Sequence, residues 1–248
     1  MSARRRLAVL VAQIATVLGL LFGWSHDSPN LEMGISRPTA VYHALRTWLT
    51  NGALRSYIPV TLKEELFGFA LGLGVALALA LILASSRVLT EFCEPFIAVV
   101  NALPKFALGP LFVLVFGIHF LSKVYFVATA VFFVPFIAIF TAITTIDHDL
   151  LHNIRALGAG RRDLLQQVYV PATLSAVISS LRITATFALL AAVVSELIAS
   201  TSGIGYEISS AQQNLQADFV LAGVLIVAAI AFFLDRLLVL FERRFSYR

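Results

Sequence analysis

Residues 151–171 read LHNIRALGAGRRDLLQQVYVP, a polar and basic island set between long apolar runs. Asp147, Asp149, Arg155, Arg161, Arg162 and Asp163 crowd into this island and its approach, in a chain where only 13% of residues are charged. Two turn-permissive glycines, Gly158 and Gly160, divide what otherwise reads as two short helices. Such a segment cannot sit in hydrocarbon, where its charges would have neither water nor partners. It must face water or another protein, and the apolar runs on either side must do the crossing.

The rest of the chain agrees with that division. Of its 248 residues, 59% are hydrophobic, and the mean hydropathy is +0.90. A soluble fold of this length could not hide so much apolar surface, so the class is a polytopic membrane protein. The formal net charge of +4 is no nucleic-acid footprint, because the arginines lie at the ends of apolar runs. Cys93 is the single cysteine, which excludes an intrachain disulfide and a multi-cysteine metal site.

About six runs approach the ~20 residues needed to cross a bilayer: 7–24, 65–85, 95–116, 122–145, 173–199 and 219–241. A backbone in lipid must satisfy its own hydrogen bonds, so all are expected to be helices. The first run, preceded by Arg4, Arg5 and Arg6, resembles a signal-peptide core, but its length and the absence of a small-x-small cleavage signal favour a retained span. An even count puts both termini on one side. Arg87, Arg155, Arg161, Arg162, Arg236, Arg243, Arg244 and Arg248 then share a side with the N-terminal arginines, and that side is expected to be the cytoplasm.

Two regions follow. Residues 1–64 hold the first span and an extracytoplasmic polar stretch, in which Pro38, Thr39, Val41, Leu45, Trp48 and Leu49 suggest a short amphipathic helix lying on the membrane surface. Residues 65–248 form the main transmembrane domain, with the polar loop at 147–171. Gly68, Gly72 and Gly74 on the second span are small enough to let a neighbouring helix approach closely.

Few residues could carry chemistry. Asn101, Pro104, Gly109 and Pro110 interrupt the third span, which should bend or break there. Lys105 beside the break either faces a pathway or snorkels to an interface. Arg182 and Glu196 share the fifth span but stand fourteen residues apart, or ~21 Å along a helix, too far to pair. Arg182 is therefore expected to point at a structural partner or a substrate pathway, and Glu196 at the outer loop or a partner protein. His148 and His152, four residues apart, are half a metal site at most, and a solvated turn is the better reading. The chain has no Gly-x-x-x-x-Gly-Lys-Ser/Thr phosphate loop, no Gly-x-Ser-x-Gly elbow and no His-Glu-x-x-His helix. No catalytic constellation is visible.

From Gly158, nine residues lead to Val168, then Tyr169, Val170 and Pro171. This resembles the Gly, nine residues, Ile-x-Leu-Pro half of the EAA loop in ABC importer membrane subunits. Arg161, Arg162, Leu164, Leu165 and Val168 fill the positions between, whereas His152, Asn153 and Ile154 stand where the family usually has Glu-Ala-Ala. Further stretches are similar to the nitrate, sulfonate and taurine permease subgroup and its pyrimidine and riboflavin-precursor relatives. They include Pro104 to Pro110, Ser195-Glu196-Leu197-Ile198-Ala199 with Ser202-Gly203-Ile204-Gly205-Tyr206, and Asp235-Arg236.

The resemblance implies an all-α permease of the type I importer architecture, multi-pass in a bacterial inner membrane, with both termini cytoplasmic. Its island would be a coupling helix in which Arg155, Ala156, Gly158, Arg161, Arg162, Leu164, Leu165, Val168 and Pro171 meet a cytoplasmic ABC ATPase. ATP and Mg would belong to that partner, with no cofactor in this chain. A second permease copy and an extracytoplasmic substrate-binding protein are also implied. Asn101, Pro104, Lys105, Arg182 and Glu196 are the expected pathway residues, for a small anion such as a sulfonate, taurine or nitrate, or for a neutral heterocycle. The rival reading is an ion channel or secondary carrier that needs no ATPase, with the broken third span and Arg182 as its route.

Overall fold

The computed structural model describes residues 12, 13, 15, 16, 19 and 36–245, and among them there is no strand. The expected first span, 7–24, lies for the most part outside the described residues, as does most of the polar stretch that follows it.

Helix α1, Pro38–Thr50, begins with proline in its first turn and ends ahead of Gly52, whose φ of +77° only glycine adopts without strain. Its Val41, Ala44 and Trp48 are buried, while Leu49 is 68% exposed. The buried face packs on protein, with the Trp48 and Phe219 rings 5.5 Å apart, so α1 is clamped to the body of the fold.

Helix α2, Ala53–Ala84, is the second expected span extended by about three turns at its start. Its inward stripe, Gly68, Gly72, Ala76 and Ala80, lies against α5, Phe120–Thr144. A Cβ on Gly72 would stand 2.6 Å from the Ala128 carbonyl oxygen, so the two backbones touch at a distance that only glycine permits. Gly74 has nothing within 4 Å and serves no such contact.

The third span breaks where proline requires it. Helix α3, Arg87–Ala102, stops before Pro104, a single 3₁₀ turn follows at Lys105–Leu108, and α4, Gly109–Phe116, leaves at 79° to the first segment. Helix α6 is His148–Ala156, capped by Asp147, whose Oδ1 accepts from the Asp149 N–H at 2.8 Å. The island is not two short helices, because its second half is the start of α7, a continuous helix over Arg161–Ile198. Pro171 would clash with the carbonyl four residues back in a regular helix; here the turn Leu165–Tyr169 widens to a π-helix, with the Val170 N–H reaching back to the Leu165 carbonyl. Helices α8, Ile204–Gln213, and α9, Ala217–Phe245, complete the described chain.

Four of these helices are long and apolar enough to cross a membrane, and the bent α3–α4 pair makes a fifth when its two halves are counted as one span. Helix α5 is the hub, packed on α2 and α7. Val127 and Val131 meet Ala188, Ala191 and Ala192 of α7 at mid-depth, and Phe136, Ile139 and Ile143 meet Ala76, Ala80 and Ala176 toward one end. At the opposite end α1, α8 and α9 gather around Trp48, Ile204, Ile208 and Ala222. The molecule therefore has two ends, with the α6–α7 turn at one and the α7–α8 loop at the other.

Candidate functional site

The α6–α7 turn is built by backbone rules. Gly158 has φ +92°; its N–H bonds the Arg155 carbonyl at 2.9 Å, while the Ala159 N–H bonds the Ile154 carbonyl at 3.3 Å. This pair of bonds around a left-handed glycine is the Schellman motif, and it ends α6 sharply. Gly160 donates its N–H to Asp163 Oδ2 at 2.8 Å, which opens α7. Arg155, Ala156, Arg161 and Arg162 all stand exposed on the resulting corner. Leu157 is 88% exposed and Leu165 55%, an apolar pair left uncovered beside the arginines. Val168 is half-buried and Pro171 exposed. Leu164, expected on the docking face, instead turns inward at 5% exposure, because it lies on the core-facing stripe of α7 that the continuous helix creates.

At the break, Asn101 and Pro104 are exposed and Lys105 folds back. Its Nζ donates to the Asn101 carbonyl oxygen at 2.6 Å and to Asn101 Oδ1 at 3.1 Å, and lies 4.7 Å from the centroid of the Phe133 ring. The ammonium thus occupies a carbonyl that a continuing helix would have bonded to the Lys105 amide, and the aromatic face adds a cation–π contact. Next to it, Phe106 stacks on Phe187 of α7 with centroids 6.4 Å apart.

Phe187 also lines a groove of about 580 Å³ along α7, with Ser179, Arg182, Ile183, Thr186, Leu190 and, from α9, Glu242. The broken segment and Arg182 are therefore joined through one aromatic pair. Arg182 finds its partner on α9: Nε bonds Asp235 Oδ1 and Nη2 bonds Asp235 Oδ2 at 3.1 Å, a two-point fork, with 54% of the Arg182 side chain still exposed. The fork neutralises Arg182 while more than half of its side chain stays open to the groove.

Glu196 does not line that groove. It is 1% exposed and belongs to a closed polar knot at the α8 end. Thr61 donates to Glu196 Oε1 at 2.8 Å, the Gly205 N–H donates to Oε2 at 2.6 Å, and the Ile204 N–H donates to Thr61 Oγ1 at 3.0 Å. The first amides of α8, which no helix can satisfy internally, are thus taken up by a carboxylate and a hydroxyl at the positive end of that helix. A Cβ on Gly203, at φ +107°, would overlap the Glu196 carboxyl, and one on Gly205 would lie 2.7 Å from Glu196 Cβ. Lys123 of α5 closes the knot, 3.0 Å from Glu64 Oε1 and bonded to Ser200 Oγ at 2.5 Å. Ser200 in turn donates to the Ser202 carbonyl at 2.6 Å.

Thr61, Glu64, Lys123, Ser200 and Asp235 are thus partners that single-sequence reasoning did not assign. The signal available for Glu64 and Lys123 was their opposite charge at matching ends of two adjacent spans; nothing local marked Thr61 or Ser200. Among the described residues no group of three or more His, Cys, Asp or Glu side chains could hold a metal ion, and His152 stands exposed beyond the Asp147 cap.

The likeness to known proteins falls on the same framework. The structure of the inward-facing MetNI methionine ABC transporter superposes with a TM-score of 0.53 at 17% identity, covering 78% of this chain and 96% of that one. The putative aliphatic sulfonates transport permease protein SsuC of Bacillus subtilis is 29% identical over 207 residues, 84% of this chain and 75% of its own length. The taurine transport system permease protein TauC of Escherichia coli is 30% identical over 181 residues, 73% of this chain and 63% of that protein. The family model for the binding-protein-dependent transport system inner membrane component matches residues 70–247, from the glycine stripe of α2 through both sides of the α6–α7 turn to the end of α9. The chain belongs to that family, and it is an ABC transporter permease component built as an all-helical, multi-pass membrane protein.

Proposed function

We propose that this chain forms half of the translocation pathway of an ATP-driven importer, working beside a second copy of itself. A separate cytoplasmic ATPase binds and hydrolyses ATP with Mg, and an extracytoplasmic substrate-binding protein delivers the solute. The observation that carries this reading is the α6–α7 turn, a rigid corner with exposed Arg155, Arg161 and Arg162 beside the uncovered Leu157 and Leu165. An apolar patch rimmed by cations is a surface shaped for a protein partner. Because α7 runs unbroken from that corner past the Arg182 groove to the α8 end, displacement of the corner moves the walls of the groove as one body. Both termini lie on the corner's side of the inner membrane, which is the cytoplasm by the placement of arginine. The α7–α8 loop then faces the binding protein.

For the solute, the half-exposed guanidinium of Arg182 suits a small oxyanion, and a sulfonate such as taurine is the class in keeping with the names of the similar permeases. The pathway includes Asn101, Pro104 and Lys105 at the break, which contact the groove through Phe106 and Phe187.

Co-reconstitution of the chain with its ATPase and binding protein in liposomes tests the reading. Arg161→Glu should leave the protein folded but abolish both solute uptake and solute-stimulated ATP hydrolysis. Uptake by the purified chain alone under an ion gradient, or uptake unchanged in Arg161→Glu, rejects it.

A further inference from the structure

Between α2, α7 and α9 runs a second groove, of about 340 Å³, whose wall is apolar except at one point. Leu62, Phe69, Ala185, Leu234 and Leu238 line it together with Glu65. Glu65 is 6% exposed, and its Oε2 is out of reach of water and accepts no hydrogen bond. Its neighbour Glu64 also has an unbonded Oε2, but there Oε1 stands 3.0 Å from the Lys123 ammonium, which supplies a counter-charge. A carboxyl oxygen withdrawn from water with no donor facing it is unfavourable by more than a typical hydrogen bond contributes, and a ligand bringing a donor recovers that free energy.

Position narrows the ligand. Glu65 is the last charged residue before the uninterrupted apolar stretch 66–84 of α2, so it stands at the depth of lipid head groups, and the groove continues past Phe69 to Ala185 and Leu238 alongside the hydrocarbon-spanning part of the bundle. A polar acceptor at head-group depth above an apolar slot matches an amphiphile with a hydrogen-bond-donating head and a hydrocarbon tail. We propose that the Glu65 groove is a site for a membrane phospholipid whose head carries a primary ammonium group, with the ammonium on Glu65 and an acyl chain along Phe69, Ala185 and Leu238. Bound lipid would splint α9 to α2 and α7 beside the Arg182–Asp235 pair. The site needs only that the chain spans a bilayer and does not depend on the ATPase-coupling role of the α6–α7 turn.

The test is native mass spectrometry of the full-length protein released from vesicles holding equal parts of phosphatidylethanolamine, phosphatidylcholine and phosphatidylglycerol. Wild type should retain phosphatidylethanolamine over the quaternary-ammonium and anionic lipids. Glu65→Gln should reduce that preference about ten-fold, since a bond to a charged group is replaced by a weaker neutral one. Ala185→Leu, which fills the slot without touching Glu65, should reduce retention of all three lipids, and unchanged melting temperatures show that both variants fold. Equal retention of the three head groups by wild type, retention indifferent to Glu65, or a groove covered by a second copy of the chain with no lipid retained would each overturn the proposal.

Discussion

The two ends of α7 place polar residues under opposite terms. At the α8 end, Thr61, Glu64, Lys123, Glu196 and Ser200 bond one another with all but no exposure of the three charged groups. At the α6 end, Arg155, Arg161 and Arg162 are as charged but stand in the open. The first set is consumed by the fold. It joins α2, α5 and α7 and seats the amides of α8. The second set is held in place by backbone geometry alone, with its side chains free. In a membrane protein a charge inside the bundle is therefore a poor guide to function until its partners are known, and an exposed charge beside an uncovered leucine is a better one.

The comparison is broken most severely by removing one partner of the knot. Lys123→Met leaves Glu64 buried without a counter-charge and should lower stability by about 3–5 kcal/mol, seen as a large drop in melting temperature in detergent. Lys123→Met combined with Glu64→Leu should recover most of that loss, because two apolar side chains replace a buried pair at little net effect. If the double variant is no more stable than the single, the knot is not a simple ion pair. A smaller effect is expected at the corner. Gly158→Val forces a β-branched residue to φ +92° and should be unfavourable by about 1–2 kcal/mol, shifting the melt while nothing clashes with the new side chain. Smallest is Arg161→Glu, which should leave stability within about 0.5 kcal/mol of wild type while coupling is lost, the separation that distinguishes a docking residue from a structural one.

The groove offers a sharper version of the same contrast, because Arg182 is both partnered and half exposed. Asp235→Asn should leave the melting temperature near that of wild type and change uptake, by releasing the guanidinium from its fork. A variant with unchanged uptake but a much lower melting temperature would move Arg182 to the structural set with Glu196.

How much of this was legible can be followed residue by residue. Pro104 announced the break, because a missing donor and a ring clash are local facts. Gly158 announced the turn for the same reason, and φ +92° meets that expectation. The extents of α2 and α7 were underestimated, since hydropathy marks where a helix is in lipid and not where it ends. Polar turns such as 53–64 and 161–172 remain helical because caps, the knot and the π-turn satisfy them. Leu164 and Leu165 looked equivalent as adjacent leucines, yet about 100° of helical rotation put one inside and one outside. Glu196 was expected both at the outer loop, where the Gly205 amide does meet it, and among the pathway residues, because an intramembrane carboxylate is suspicious by default; its other partner, Thr61, lies on α2, more than a hundred residues away.

By itself, then, the sequence determined the class, the positions of the spans, the break and the exposed corner, because hydrophobic burial in lipid, proline sterics and glycine's conformational range all act over a few residues. Only the tertiary structure decided which charges are spent on one another. Whether Lys123, Arg182 or Glu65 has a partner depends on helices that the chain brings together from afar, and a hydrogen bond exists only where distance and angle are met in space.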